Sequence, residues 1–197
     1  MNNTRRKLDR SIKIAVLGAI AFLLMFIELP VIPMFPWLKM DLSEVPVLMG
    51  AFAFGPLAGI AVEVLKLLLH LMIKGTSTGG VGELANLLVG AALILPASFI
   101  YNRNRSKRTA IVGMILGGIC MEIVGVLANV YLLLPAYGMM MPSETLMQYV
   151  TVGLLPFNGI KALLVSVITF ILYKRVSVSI FKVESNFGKN RNIRKEA

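Results

Sequence analysis

Several stretches of this chain approach the ~20 consecutive apolar residues that a helix needs to cross a lipid bilayer, and no other feature limits the fold as tightly. Composition extends that constraint to the chain as a whole. Of its 197 residues, 57% are hydrophobic and the mean hydropathy is +0.79, well above the ~45–50% apolar content of soluble domains. The reading is an all-α polytopic membrane protein with six transmembrane helices. These are expected at about 10–29, 44–54, 56–73, 82–101, 109–133 and 156–175, in a single membrane domain over residues 1–181 with a basic tail over 182–197.

Local chemistry sets the boundaries. Arg5, Arg6, Lys7, Arg10 and Lys13 precede an apolar run from Ile14 to Leu29. That pattern is like a signal peptide, but the run is long and no small-x-small site closes it, so a retained first helix is expected. Pro30, Pro33 and Pro36 then impose a structured loop, because proline blocks helix. Ser43 is placed to cap the second helix, with Glu44 favourable in its first turn. Gly55–Pro56 separates the second and third helices. Pro156 suits the first turn of the sixth, after a long connection over 134–155 with a short amphipathic turn.

The twenty Lys and Arg residues are distributed unevenly. Besides the five at the N-terminus, Arg103, Arg105, Lys107 and Arg108 lie between helices four and five, and seven more follow from Lys174. Six helices put all of these on one side, and the positive-inside rule makes that side cytoplasmic, with both termini in it. The formal charge of +10 is therefore a topology signal and an attraction for anionic lipid headgroups of the bilayer. Nucleic acid is excluded as a partner, since no soluble domain presents a basic face. One cysteine, Cys120, leaves no internal disulfide.

The polar residues that remain fall at one depth. Gly75 to Asn86 reads GTSTGGVGELAN, and glycines there permit sharp turns and close backbone approach. Glu83 and Asn86, three apart, share a helix face. Taken alone, the stretch fits a solvated loop and helix cap equally well. Asn129 lies near the end of helix five, seven residues after Glu122 and on its face. Asn158 and Lys161 share a face at the start of helix six, and the first loop brings Trp37, Leu38, Lys39, Met40 and Asp41 to the same level. Buried polar groups converging between apolar walls describe a small-molecule pocket; the competing reading is side chains reaching for the interface. Glu63, Lys66, His70 and Lys74 form a separate stripe on helix three, with Glu63 and Lys66 expected to pair inside the bundle. Near the start of helix one, Ala15 and Ala19 flank Gly18. Small residues at that spacing admit another helix, from the same chain or a partner.

Other functions lack their residues. No GxxxxGK[ST], HExxH or GxSxG motif is present, and a single histidine precludes a histidine metal cluster. No catalytic residues, metal or cofactor are expected, and an enzyme is not. No duplicated halves with broken helices mark a complete secondary transporter. A passive channel would need neither a proline-rich lid nor a closed polar cluster.

In order along the chain, LKMDLSEVP (38–46), GAFAFGPLAG (50–59), GTSTGGVGELAN (75–86) and PFNGIK (156–161) resemble the riboflavin-specific S component of energy-coupling factor (ECF) transporters. The resemblance runs from helix one to helix six. It implies the ECF S-component fold in a bacterial plasma membrane, with one riboflavin bound in a pocket open to the outside. It further implies a partner module made of a coupling transmembrane protein and two ATP-binding cassette ATPases, which drives uptake. On the matching positions it implies ligand contacts from Asn129, Asn158, Lys161 and Glu83, a lid over Leu38 to Asp41, and docking of the coupling protein on Ala15 and Ala19. Met40 stands where the family pattern carries an aromatic. A relative of the same fold specific for folate, thiamine or pantothenate is the alternative.

Overall fold

The computed structural model describes residues 3–76 and 78–179; the basic tail expected over 182–197 lies outside the described residues. The first helix, α1, spans Asn3–Met25, shifted towards the N-terminus from the expected 10–29. Its polar start stays helical through spacings such as the Lys13–Asp9 ion pair at 2.6 Å, one turn apart. Its end comes before Pro30 because the chain turns into a short ladder. Leu29–Pro30 (β1) pairs antiparallel with Lys39–Met40 (β2). The proline-rich loop is thereby closed into a flap rather than left as a strand of tether.

Helix α2, Glu44–Phe54, is short but almost wholly buried: Glu44 through Ala53 are all out of contact with the surroundings. A helix apolar on every side belongs at the centre of a bundle, and α2 packs against α1, α3, α4 and the last helix. Ser43 does not cap it. Its backbone is already helical and its side chain makes no cap bond, because its hydroxyl accepts from Lys66 at 3.2 Å. At the other end, Arg10 donates to the Phe54 carbonyl at 2.8 Å, satisfying one of the carbonyls a helix terminus leaves open.

Gly55, with φ of 99°, turns the chain directly into α3, Pro56–Lys74. Helix α4 follows over Val81–Asn104 and α5 over Lys107–Ala136. These two approach closely because α5 has no side chain at the crossing. A Cβ on Gly113 or Gly117 would sit 2.6 Å from the Ala97 carbonyl oxygen or 2.4 Å from that of Leu93. Small residues at such crossings drive helix association in lipid.

The final helix, α6, differs most from expectation. It does not start at Pro156: helical structure begins at Ser143–Gln148, widens into a π-helical stretch at Tyr149–Leu154 and continues over Leu155–Ser179. The long connection read over 134–155 shrinks accordingly. Helix α5 has a matching π-helical stretch at Asn129–Leu133. Each stretch ends two residues before a proline, Pro135 or Pro156. Proline has no N–H to give the preceding turn and crowds its carbonyl; a widened turn accommodates both. Among the described residues, four helices, α3 to α6, are long and apolar enough to cross a membrane.

Candidate functional site

A cavity of about 550 Å³ opens where the α1–α2 loop, the end of α3, the start of α4, the end of α5 and the start of α6 meet. Its depth comes from two clusters of buried apolar side chains. One is the main bundle core and the other sits beneath the flap, around Phe35, Leu134, Tyr149 and Phe157.

At the floor, Lys161 donates to Asp41 Oδ2 at 3.2 Å, and the backbone N–H of Ser43 donates to Asp41 Oδ1 at 2.8 Å. Burial opposes the Asp41 charge, but Lys161 and Lys66 together with the bonds from Ser43 outweigh it and hold the carboxyl at about 2. A folded-state value below the unfolded one stabilises the fold above the unfolded value and is lost as pH falls through the folded one. The Asp41 contribution is therefore complete down to pH ~4 and disappears towards pH ~2. The expected result is a wild-type melting temperature that drops across this window. The drop should be smaller in Asp41→Asn, whose melting is lower already at pH 7. Parallel pH curves for the two proteins would contradict the ion pair.

Asn158 lies next to Lys161 with 3% of its surface exposed. Its amide rests on the bare backbone of Gly125, where a Cβ would come within 2.5 Å of Nδ2. That Nδ2 is buried and has no partner at hydrogen-bond geometry. The Glu122 carboxylate of α5, itself without a partner on Oε1, interacts with the same amide, so the Asn158 side of the cavity is polar and incompletely satisfied. Asn129 is differently placed. It donates to the Gly125 carbonyl at 2.8 Å and accepts from the Tyr149 hydroxyl at 3.1 Å. Trp37 Nε1 in turn donates to Tyr149 at 3.4 Å. Phe35, Trp37 and Tyr149 stack edge to face or tilted, at 5.0–6.1 Å between centroids, and form an aromatic wall.

On the opposite side, Glu83 accepts from Thr76 at 2.9 Å and stands 3.8 Å from His70 Nδ1; Asn86, one turn on, also lines the cavity. At the rim, Glu28 accepts from both Lys39 and Lys74 at 3.0 Å. Its partial burial opposes the charge, and the two lysines override that and lower its carboxyl below the usual range. Leu38 and Lys39 line the cavity. Met40 does not: its side chain, 8% exposed, packs with Phe35 and Leu38 in the cluster beneath the flap. The ladder explains this, since neighbouring residues of a strand point to opposite faces. Ala15 and Ala19 lie away from the cavity, exposed on α1, while Leu17 and Gly18 turn inward.

Tyr149, Glu28 and Thr76 are additions that the sequence reading did not single out. Tyr149 sits in what reads as a connection, and only the π-helical turn brings it over Asn129. The cavity groups suit recognition: amides, a carboxylate and an ammonium between aromatic and aliphatic walls. Among the described residues, no three His, Cys, Asp or Glu side chains gather as a metal site would require.

Comparison with known proteins agrees with this geometry. The family model described as "ECF transporter, substrate-specific component" matches residues 9–173. The chain is 40% identical over 184 residues to "Riboflavin transporter RibU" of Staphylococcus aureus (strain TCH60), covering 89% of this chain and 96% of that protein. It is 35% identical over 173 residues to "Riboflavin transporter FmnP" of Bacillus subtilis (strain 168), covering 85% and 91%. A solved structure described as the S component of a bacterial ECF transporter superposes with a TM-score of 0.74 at 39% identity, over 87% of this chain and 97% of its own.

Proposed function

This chain belongs to the ECF transporter family of substrate-specific components, and from that premise we propose that it captures riboflavin in the cavity beneath the flap. It is a multi-pass protein of the bacterial cell membrane and a binding component, not an enzyme. In this reading α1 to α6 form a single domain that crosses the membrane six times, with both termini cytoplasmic and the cavity facing out. Uptake is driven by an ECF module of a coupling transmembrane protein and two ATP-binding cassette ATPases.

The observation that carries the reading is the cavity itself. Its volume, about 550 Å³, lies within the ~300–1,000 Å³ of small-molecule sites. Its polar groups match a flat ring system with imide and carbonyl edges and a polyhydroxyl chain. The Asn158 amide and the Lys161 ammonium, both lining the cavity, are the polar groups for the carbonyl and imide edges. Glu83 and Asn86 face them from the other wall and suit hydroxyls. Trp37, Tyr149 and Leu38 cover ring faces, while Asn129 is held by its own bonds and orders the aromatic wall. The Lys39–Glu28–Lys74 contact ties the flap to α3 at the rim. Asp41 holds Lys161 in place.

The test is a riboflavin titration of the purified chain, read by the emission of Trp37, its only tryptophan. Saturable quenching at one ligand per chain is expected. Asn158→Ala and Lys161→Ala should each weaken binding about tenfold or more, because an unpaired buried polar partner costs ~1–3 kcal/mol. A folded protein that neither carries flavin nor is quenched would overturn the assignment.

A further inference from the structure

On the flank away from the cavity, α5 and α6 leave an apolar groove of about 370 Å³ between them. Ile111, Ile115 and Gly118 form one wall; Leu163, Val167 and Ile171 form the other. The helices run antiparallel there, and the groove stays open because Gly118 faces Ala162, with a Cβ on it only 3.4 Å from that of Ala162. Both walls are ladders at the i, i+3 and i, i+4 spacings of a helix face. Extending each ladder by one turn at the same end reaches a cation. Lys107 precedes Ile111 by four residues, and Arg175 follows Ile171 by four. Arg108 lies beside Lys107, and all three are exposed. Among the described residues none of the three forms an ion pair.

A groove that accepts hydrocarbon and ends in unpaired cations has the form of a lipid with an anionic head. We propose that this groove is a binding site for one anionic diacyl phospholipid, its acyl chain between α5 and α6 and its phosphate at Lys107, Arg108 and Arg175. A zwitterionic lipid would bring an ammonium to the same cations and lose their attraction, so the site selects by headgroup charge. Basic pockets between membrane helices recognise anionic headgroups on these terms. The inference needs only a membrane-embedded bundle and stands apart from the identity of the transported ligand.

The test uses the full chain in detergent, with dioleoyl phosphatidylglycerol and dioleoyl phosphatidylcholine added at equal concentration and retention read by native mass spectrometry. One phosphatidylglycerol per chain should be retained, at least fivefold over phosphatidylcholine. Substituting Lys107→Gln, Arg108→Gln and Arg175→Gln together should remove that preference, lowering phosphatidylglycerol retention on the order of tenfold. Ser166→Phe, which fills the groove and keeps the charges, should reduce retention of both lipids. Melting temperature and helical content, measured on every variant, separate loss of the site from loss of fold. Equal retention of the two lipids overturns the proposal. So does selective retention by the folded triple variant, or a groove occupied by a second copy of the chain, seen as a dimer that Ser166→Phe dissociates.

Discussion

Lys66→Met should destabilise the folded chain by about 3–5 kcal/mol, the range for removing one partner from a buried ion pair. The expectation follows from what the lysine holds together. Its ammonium lies 2.8 Å from Glu44 on α2 and 2.8 Å from Glu63 on α3, and all three side chains are essentially inaccessible. Glu44 Oε2 and Glu63 Oε1 have no other protein partner, and both come against Gly90 of α4, about 3 Å from where a Cβ would be. Removing this ammonium leaves two buried acidic side chains facing each other without the cation that bridges them. The measurement is the thermal midpoint in detergent. A control separates charge from volume: combining Lys66→Met with Glu44→Gln and Glu63→Gln should recover most of the loss, since no charge is then left unpaired. Lys66→Met with an unchanged midpoint would show the cluster to be dispensable.

The triple variant should still bind riboflavin more weakly than the wild type. Lys66 also donates to Ser43 Oγ at 3.2 Å, the Ser43 N–H holds Asp41, and Asp41 holds Lys161. The buried cluster thus continues, bond by bond, to the cavity floor. A well-packed apolar replacement can equal the stability of an ion cluster, but it cannot aim a donor at Ser43.

That chain of bonds also marks how far sequence reading reaches. Glycine and proline punctuate visibly, so the turn at Gly55–Pro56 and the start of α4 after Gly80 could be read from residue types alone. Periodicity likewise places Glu63 beside Lys66 and Asn158 beside Lys161. The third member, Glu44, could not be found this way. It is 22 residues from Lys66, and nothing in local pattern distinguishes a first-turn acid favoured by the helix dipole from one that crosses the bundle to a lysine. Ser43 misled for the same reason: its hydroxyl suits a cap, yet a tertiary partner took it. Tyr149 was hidden differently. Pro156 looks like a helix start because proline fits a first turn, and the π-helical turn that lets a helix run through a proline has no comparable residue signature. Met40 packs beneath the flap, and a two-residue ladder is too short for that alternation to show in the sequence.

Ala15→Trp and Ala19→Trp should abolish riboflavin uptake while leaving riboflavin binding within about twofold of the wild type. Both alanines are exposed on α1, one turn apart, between Ile12, Val16, Ile20 and Leu23, which are also exposed. Against lipid tails alone, small residues offer no advantage over leucine. Their benefit comes when another helix approaches, because a flattened face lets backbones come close. The inner face of α1 is already used: Gly18 lies against Leu65 of α3, within 2.6 Å of where its Cβ would be. A partner helix must therefore come from outside the chain, and the coupling protein of the ECF module is the partner proposed for it. An indole at either position projects into that contact without touching the cavity, which α1 meets only near Met25. Leu116→Trp, on the exposed face of α5, controls for a bulky aromatic facing lipid and should transport normally. Uptake would be measured in cells supplied with the whole transporter, and binding on the purified chain. Persistent uptake in both alanine variants would remove α1 as the docking face. Loss of binding together with uptake would instead mean that this face supports the cavity, and the two roles assigned to opposite sides of α1 would collapse into one.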